Sequence, residues 1–460
     1  MSNAAPPDLE SAPAHVLVAA LAARRISARE ACEAAIARIE RLDGAINAVV
    51  VRDFERARMQ AAACDEALAR GERRPLLGVP MTVKESFDVA GLPTTWGLPH
   101  LREFRPAVDA VAVMRLKSAG AVILGKTNVP PALGDWQSTN PIYGRTVNPH
   151  DPARSPGGSS GGAAAALASG MVALELGSDI GGSIRVPAHF CGVFGHKPSF
   201  GLVPTRGHGF PGVDGAPVDL AVCGPLARSA ADLELALGVL AGPDADEAAG
   251  YRVALPAPRP RRLADCRFLV LDTHPSACTD AVMRTTMERL GADLARAGAH
   301  VARATPLLPD LAAAHGAYLK MLNTITSRGA PGAQAVLSAH AWLDLVDQRA
   351  RLRRAWHALF EQFDVVVAPP FGTVAYPHVD EPEMKKRTLA IDGVQTPYGD
   401  QLAWPGVATL PGLPATVAPV GKTAAGLPIG VQAIGPYLHD LTTIAVASWL
   451  HGLTATEAAA

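Results

Sequence analysis

Apolar residues recur at spacings of three and four near the start of the chain. Ala31, Ala34, Ala35, Ile36 and Ile39 follow Ser27-Ala-Arg-Glu30, a capping box that opens a predicted helix. A second helical stretch covers roughly Phe54 to Arg70. The pattern then changes. LLGVPMTVKESFDV (76–89) is apolar and β-branched up to Lys84 and reads as a buried strand. From Gly157 to Gly224 short apolar runs alternate with glycines, which suits a backbone that turns tightly and approaches something closely. The most apolar run there, GGAAAALASGMVALEL (161–176), predicts a buried helix and falls short of the ~20 residues of a membrane span.

Beyond Pro243 the character shifts again. PAPRPRR (256–262) reads as an exposed connection. Strand CRFLVLD, a helix from Thr279 to Ala299 and a helical stretch from Leu311 to Phe363 follow it. FDVVVAPP (363–370), LPATVAPVG and LPIGVQAIG predict three further strands. Strands interleaved with helices indicate an α/β sheet protein. No internal repeat is visible.

Composition narrows the function classes. Across 460 residues, 48% are hydrophobic and 18% charged, which describes a folded globular chain. Lys plus Arg (42) balance Asp plus Glu (43), so no electrostatic argument favours nucleic acid or an anionic membrane. Cys32, Cys64, Cys191, Cys223, Cys266 and Cys278 show no C-x-x-C spacing, which suggests reduced, cytoplasmic cysteines with neither zinc nor disulfides. The N-terminus lacks the basic and apolar regions of a secretory signal.

Three stretches compete for the chemistry. GAVILGKT (120–127) satisfies the P-loop pattern, and FLVLD (268–272) resembles a Walker B strand. Yet Val122 and Ile123 resist the conformations of a phosphate nest and suit a buried strand, so Lys126 reads as structural. SPGGSSGGAAAALASG (155–170) contains Gly157-x-Ser159-x-Gly161, formally a nucleophile elbow, but loop-like NPHDPARSP precedes it where a strand should stand. GSDIGGSIRVPAHFCG (177–192) is more telling, because its small residues let backbone N–H groups converge beside the Ser183 hydroxyl, as an oxyanion hole requires.

GVPMTVKES, GGSSGGAAA and GSDIGGSIRVPA, in that order, resemble the amidase signature family over nearly the whole chain. The resemblance implies one domain over residues 1–460, a large mixed sheet covered by helices on both faces. Its parts would be N-terminal helices at about 8–70, a signature core at about 76–240 and a C-terminal part at about 265–455. It makes Ser183 the nucleophile, Ser159 the bridging serine after a cis Gly158–Ser159 peptide, and Lys84 the base. The N–H groups of Ile180, Gly181, Gly182 and Ser183 would hold the oxyanion. Lys84 must then lose its proton near neutrality, about 3 units below a free lysine, which burial among neutral serines would supply. Glu85 should face the other side of the strand.

Asp179 and Arg185 read either as residues orienting the glycine turn or as a surface ion pair. Ser160 reads as a helix N-cap in preference to a catalytic helper. His196 and His208 read as structural or pocket-lining. Neither cofactor nor metal is implied, the partner is a small amide, and a homodimer is compatible. APVDLAVCGPLARS (216–229) lacks the glutamine usual in the tRNA-dependent amidotransferase subunit, which favours a stand-alone amidase. A non-catalytic scaffold is disfavoured because all three catalytic positions are intact. The loops Thr94–Leu98, Leu133–Tyr143 and Tyr398–Trp404, with helices between Leu311 and Trp342, are expected to shape the pocket. Trp96, Trp136, Tyr143 and Trp404 are its candidate aromatic wall and Asp135 its candidate partner for a cation.

Overall fold

Ser27 caps the first long helix, Ala28–Ile46, as the pattern predicts. Glu30 N–H donates to the Ser27 hydroxyl (3.1 Å) and Ser27 N–H to the Glu30 carboxylate (2.7 Å), so two orphan donors are satisfied reciprocally. The second helix, Phe54–Ala69, follows the expected boundaries. The computed structural model describes residues 7–213, 215–328 and 337–457.

Eleven strands among these residues form one mixed sheet. In chain order they are β1 (Val49–Arg52), β2 (Pro80–Lys84), β3 (Val122–Thr127), β4 (Leu174–Asp179), β5 (Phe194–Lys197) and β6 (Val222–Ala227). The second half supplies β7 (Arg267–Val270), β8 (His300–Ala302), β9 (Val365–Ala368), β10 (Ala415–Lys422) and β11 (Pro428–Ile434). The spatial order is β1-β3-β2-β4-β6-β5-β10-β11-β9-β7-β8. Parallel pairing of β2 with β3 and β4, and of β7 with β8 and β9, leaves the other neighbours antiparallel. Helices cover the sheet, and β2, β3, β4, β6 and β9 are buried along their length, as central strands should be.

GAVILGKT is a strand. Its Gly125 answers to packing against β1, because a Cβ there would lie 2.1 Å from the Val51 carbonyl oxygen. Lys126 is fully buried and donates to the Pro93 carbonyl and to Thr94 Oγ1 (2.8 Å), a structural role.

The structure corrects one expectation about these elements and resolves another more finely. The run 161–176 is not one helix. It is a helix, Gly161–Ala168, followed by a turn at Gly170 with φ +75° and then β4. A continuous apolar run carries no period, so a buried helix and a buried strand read alike. The stretch 311–363 holds two helices, Leu311–Thr326 and Ala339–Gln362, while residues 329–336 within it lie outside the described residues. Strands β1, β5, β6 and β8 have three to six residues each and gave no separate signal. No helix among the described residues is long and apolar enough to cross a membrane. All six cysteines are unpaired.

Gly125→Ala is expected to destabilise the fold by about 3 kcal/mol through overpacking against β1. Urea denaturation with a linear-extrapolation fit measures it. A stability equal to wild type would return the glycine to a ligand-facing role.

Candidate active site

Parallel pairing of β2 with β4 sets the site. Thr82 lies opposite Glu175 and Val83 opposite Leu176, so Lys84, at the carboxyl end of β2, reaches across toward the end of β4. Its ammonium nitrogen sits 2.7 Å from Ser159 Oγ and 2.9 Å from Ser178 Oγ, with no solvent exposure. Burial pulls Lys84 down to about 7, partly opposed by the charge of Asp179. Glu175, likewise buried, is pushed up to about 8 by desolvation. Thr82 Oγ1 donates to it at 2.5 Å and partly opposes that rise, but desolvation wins, so near neutral pH this carboxyl adds little negative charge beside the lysine.

Glu85 does point the other way. Its carboxylate accepts from Thr95 N (2.6 Å), Thr95 Oγ1 (2.7 Å), Trp96 N (3.0 Å) and Tyr143 OH (3.2 Å), and so fixes the Thr94–Leu98 loop. The Gly158–Ser159 peptide is cis, as the family resemblance implies. Ser160 occupies the N-cap position of Gly161–Ala168, but its hydroxyl makes no cap bond. It turns toward the Ser178 carbonyl (3.4 Å), which corrects the capping assignment. Its backbone N–H donates to the Ser183 carbonyl (3.1 Å) and ties the two serine segments together.

Asp179 and Arg185 form a fully buried pair, so the surface alternative is excluded. Asp179 Oδ1 accepts from Gly182 N (2.9 Å) and Arg185 Nη2 (2.9 Å). Its Oδ2 accepts from Ile184 N (3.0 Å) and Arg185 Nε (3.0 Å). Burial alone would raise this carboxyl, but the Arg185 charge and these bonds bring it down to about 2. Arg185 spends its remaining donors on Pro405 O, Gln432 Oε1 and Thr409 Oγ1.

The loop between them is held from outside as well. Tyr318 OH donates to the Ile180 carbonyl and Trp136 Nε1 to the Gly181 carbonyl, each at 2.8 Å. Because a trans peptide is planar, fixing each carbonyl aims the following N–H the opposite way. The N–H groups of Ile180, Gly181 and Ser183 have no acceptor among the described residues. Gly182 N–H is corrected out of the predicted donor set, since it is engaged by Asp179. Ser183 itself is 6% exposed. Its hydroxyl makes no hydrogen bond to Ser159 among the described residues, so Lys84 is joined to Ser159 directly, and the Ser159 segment to Ser183 through the backbone bond of Ser160.

Other expectations settle as packing. His196 bridges Thr416 Oγ1 (2.8 Å) and Asp440 Oδ1 (3.1 Å) in the core. His208 meets Ser86 Oγ at 2.9 Å, and burial together with the Lys84 charge pushes it down to about 3. Trp136 and Trp404 are buried core residues, Tyr143 serves Glu85, and Trp96 packs against His208 and Phe210. Asp135 is taken by Arg387 (2.6 Å) and Tyr398 OH (2.7 Å), which removes it as a cation partner.

Sequence reasoning missed Ser178 as the second lysine partner, and Tyr318 and Trp136 as holders of the loop. Ser178 sits inside the recognised motif. The two aromatic residues come from distant segments, and nothing local marks their roles.

The Amidase family model matches residues 30–324 and 314–444. A 1-carboxybiuret hydrolase subunit of Pseudomonas sp. (strain ADP) is 46% identical over 230 residues, an alignment covering 50% of this chain and 49% of that one. Indoleacetamide hydrolase of Bradyrhizobium diazoefficiens is 33% identical over 459 residues, 94% of this chain and 84% of the relative. Among solved structures, an inhibitor-bound protein from a vestigial complex, connected with the origins of an s-triazine catabolic enzyme, superposes with a TM-score of 0.82. It is 32% identical and the match covers 96% of this chain and 99% of that one. Family model, relatives and fold agree: the chain belongs to the amidase signature family, hydrolases that act on carbon–nitrogen bonds.

Proposed function

We propose that this protein hydrolyses a small carboxylic amide to a carboxylate and ammonia or an amine through an acyl-enzyme on Ser183. The observation that carries the reading is the buried Lys84 nitrogen, 2.7 Å from the Ser159 hydroxyl and brought down to about 7. A neutral lysine there accepts the Ser159 proton as Ser159 accepts that of Ser183, whose hydroxyl turns toward Ser159 when substrate arrives; such contacts commonly tighten only in the complex. The Ser183 oxygen bonds to the amide carbon, and the N–H groups of Ile180, Gly181 and Ser183 receive the developing oxyanion. The proton returns along the same path to the leaving nitrogen as the carbon–nitrogen bond breaks. Water, deprotonated by the same relay, then releases the carboxylate. Activity without a partner subunit fits the VDLAVCG sequence of residues 218–224, which lacks the amidotransferase glutamine.

Ser183→Ala is expected to lower kcat by at least ~10⁴-fold, measured as ammonia or arylamine release from an amide panel. Intact-protein mass spectrometry after fluorophosphonate treatment should place one adduct on Ser183, formed far more slowly in Lys84→Ala. An adduct on Ser159 instead would overturn the assignment.

Because Lys84 acts only when neutral, kcat/KM should rise with pH along an acid limb centred near 7. That limb should vanish from the residual rate of Lys84→Ala. A wild-type profile flat from pH 6 to 8 would count against the lysine base.

Tyr318→Phe removes the donor to the Ile180 carbonyl. We expect kcat to fall about tenfold with KM nearly unchanged, since loop alignment matters most when the oxyanion forms. Equal loss in both constants would point to general disorder of the pocket.

A further inference from the structure

Away from Lys84 and the serines, a cavity of about 580 Å³ opens between the Ala339–Gln362 helix, the start of β7 and the segment after β11. That volume lies in the range of metabolite pockets. Its lining is strongly cationic. Arg259, Arg267, Arg353, Arg354, His357 and His439 face only two carboxylates, Glu361 and Asp364. Asp364 is consumed by Arg267, whose Nη2 and Nε lie 2.8 and 3.1 Å from its two oxygens. Arg353 is held by the Pro411 carbonyl (2.8 Å) and stacks over the Tyr437 ring at 4.3 Å. The side chains of Arg259, Arg354 and His357 make neither ion pair nor hydrogen bond among the described residues.

Arg353, Arg354 and His357 come from the Ala339–Gln362 helix, and Arg259, Arg267 and His439 join them from three other segments, so the fold adds cations to an already basic helix face. Burial disfavours the protonated form of His439, and the Arg259 and His357 charges add to this while Asp440 opposes it. One wall is apolar, formed by Phe360, Leu413, Pro436 and the Tyr437 ring. A singly charged carboxylate would leave most of the positive charge unanswered, whereas a phosphoryl or diphosphoryl group meets several guanidinium forks at once. The chain as a whole carries a net charge of −1, and the cationic groups gather in a concavity, which favours a small ligand over a polyanionic polymer.

We propose that this cavity binds an organic phosphate of about nucleotide size, its phosphoryl groups on Arg259, Arg354 and His357 and its flat apolar part against Tyr437 and Phe360. The proposal stands independently of the hydrolytic reading.

The test is isothermal titration of the full chain with pyrophosphate and with ATP, metal-free and at fixed ionic strength, with citrate as the carboxylate control. We expect saturable binding of both phosphates, tighter for ATP, and weaker for citrate. Arg354→Glu and Arg259→Glu, both exposed positions, should each weaken phosphate binding at least tenfold while leaving the ligand-free melting temperature unchanged. Absence of saturable heat, equal binding of citrate, ATP no tighter than pyrophosphate, or variants that bind like wild type would each overturn it.

Discussion

The buried pair of Asp179 and Arg185 is the interaction on which the rest of the site depends. Two charges removed from water are unfavourable unless nearly every lone pair and proton finds a partner. Here the carboxylate takes backbone N–H groups from Gly182 and Ile184, and the guanidinium takes Pro405, Gln432 and Thr409. The pair therefore stitches the end of β4, the helix Arg185–Cys191, the helix Ala403–Thr409 and β11 around one point. Losing one partner of such a pair leaves an uncompensated buried charge, typically worth 3–5 kcal/mol. The same bonds turn the chain sharply, taking up Gly182 N–H and leaving those of Ile180, Gly181 and Ser183 without an acceptor among the described residues. Gly182 has φ +92°, and a Cβ there would meet Pro405 and Val186 within 3 Å, so the turn demands glycine.

Stability and chemistry share one device at Lys84. The register of β2 against β4 buries it among hydroxyls, and that burial is what strips its proton near neutral pH. A charged acceptor at Ser159 or Ser178 would hold the ammonium form. The negative charge that acts most on the lysine, Asp179, is already committed to Arg185, which limits its pull. The two buried networks are thus complementary: one keeps its charges by pairing them, and the other discards its charge because nothing pairs it.

Much of this was legible in the chain, for reasons that differ from residue to residue. The capping box at Ser27, the strand before Lys84 and the small-residue run before Ser183 are local patterns, and local patterns survive in sequence. The boundary between the Gly161–Ala168 helix and β4 was illegible because an unbroken apolar run has no period to read. Ser160 had the residue type of a cap, but its hydroxyl donates to the Ser178 carbonyl and accepts no helix N–H, a tertiary choice. Trp136 and Tyr318 are 45 and 138 residues from the carbonyls they hold, and no pattern reports such a contact. Asp135 looked free in sequence only because its partners Arg387 and Tyr398 lie far along the chain.

Lys126 and Lys84 make the limit of pattern reading concrete. They stand on adjacent parallel strands, one register position apart, and both are fully buried with their pKa values pulled down by desolvation, to about 8 and about 7. A sequence reader meets Lys126 in the better-known motif. What separates the two is the chemistry of their partners. The main-chain acceptor of Lys126 is the Pro93 carbonyl, which has no proton to give, and Glu85 and Asp88 nearby favour its charged form. Lys84 faces two hydroxyls, one of them on Ser159, whose neighbour Ser160 is bonded through its backbone N–H to the Ser183 carbonyl. Lys126 also reaches one hydroxyl, that of Thr94, but only the hydroxyl partners of Lys84 stand beside the Ser183 segment, and this placement is what favours Lys84 over Lys126 as the proposed base.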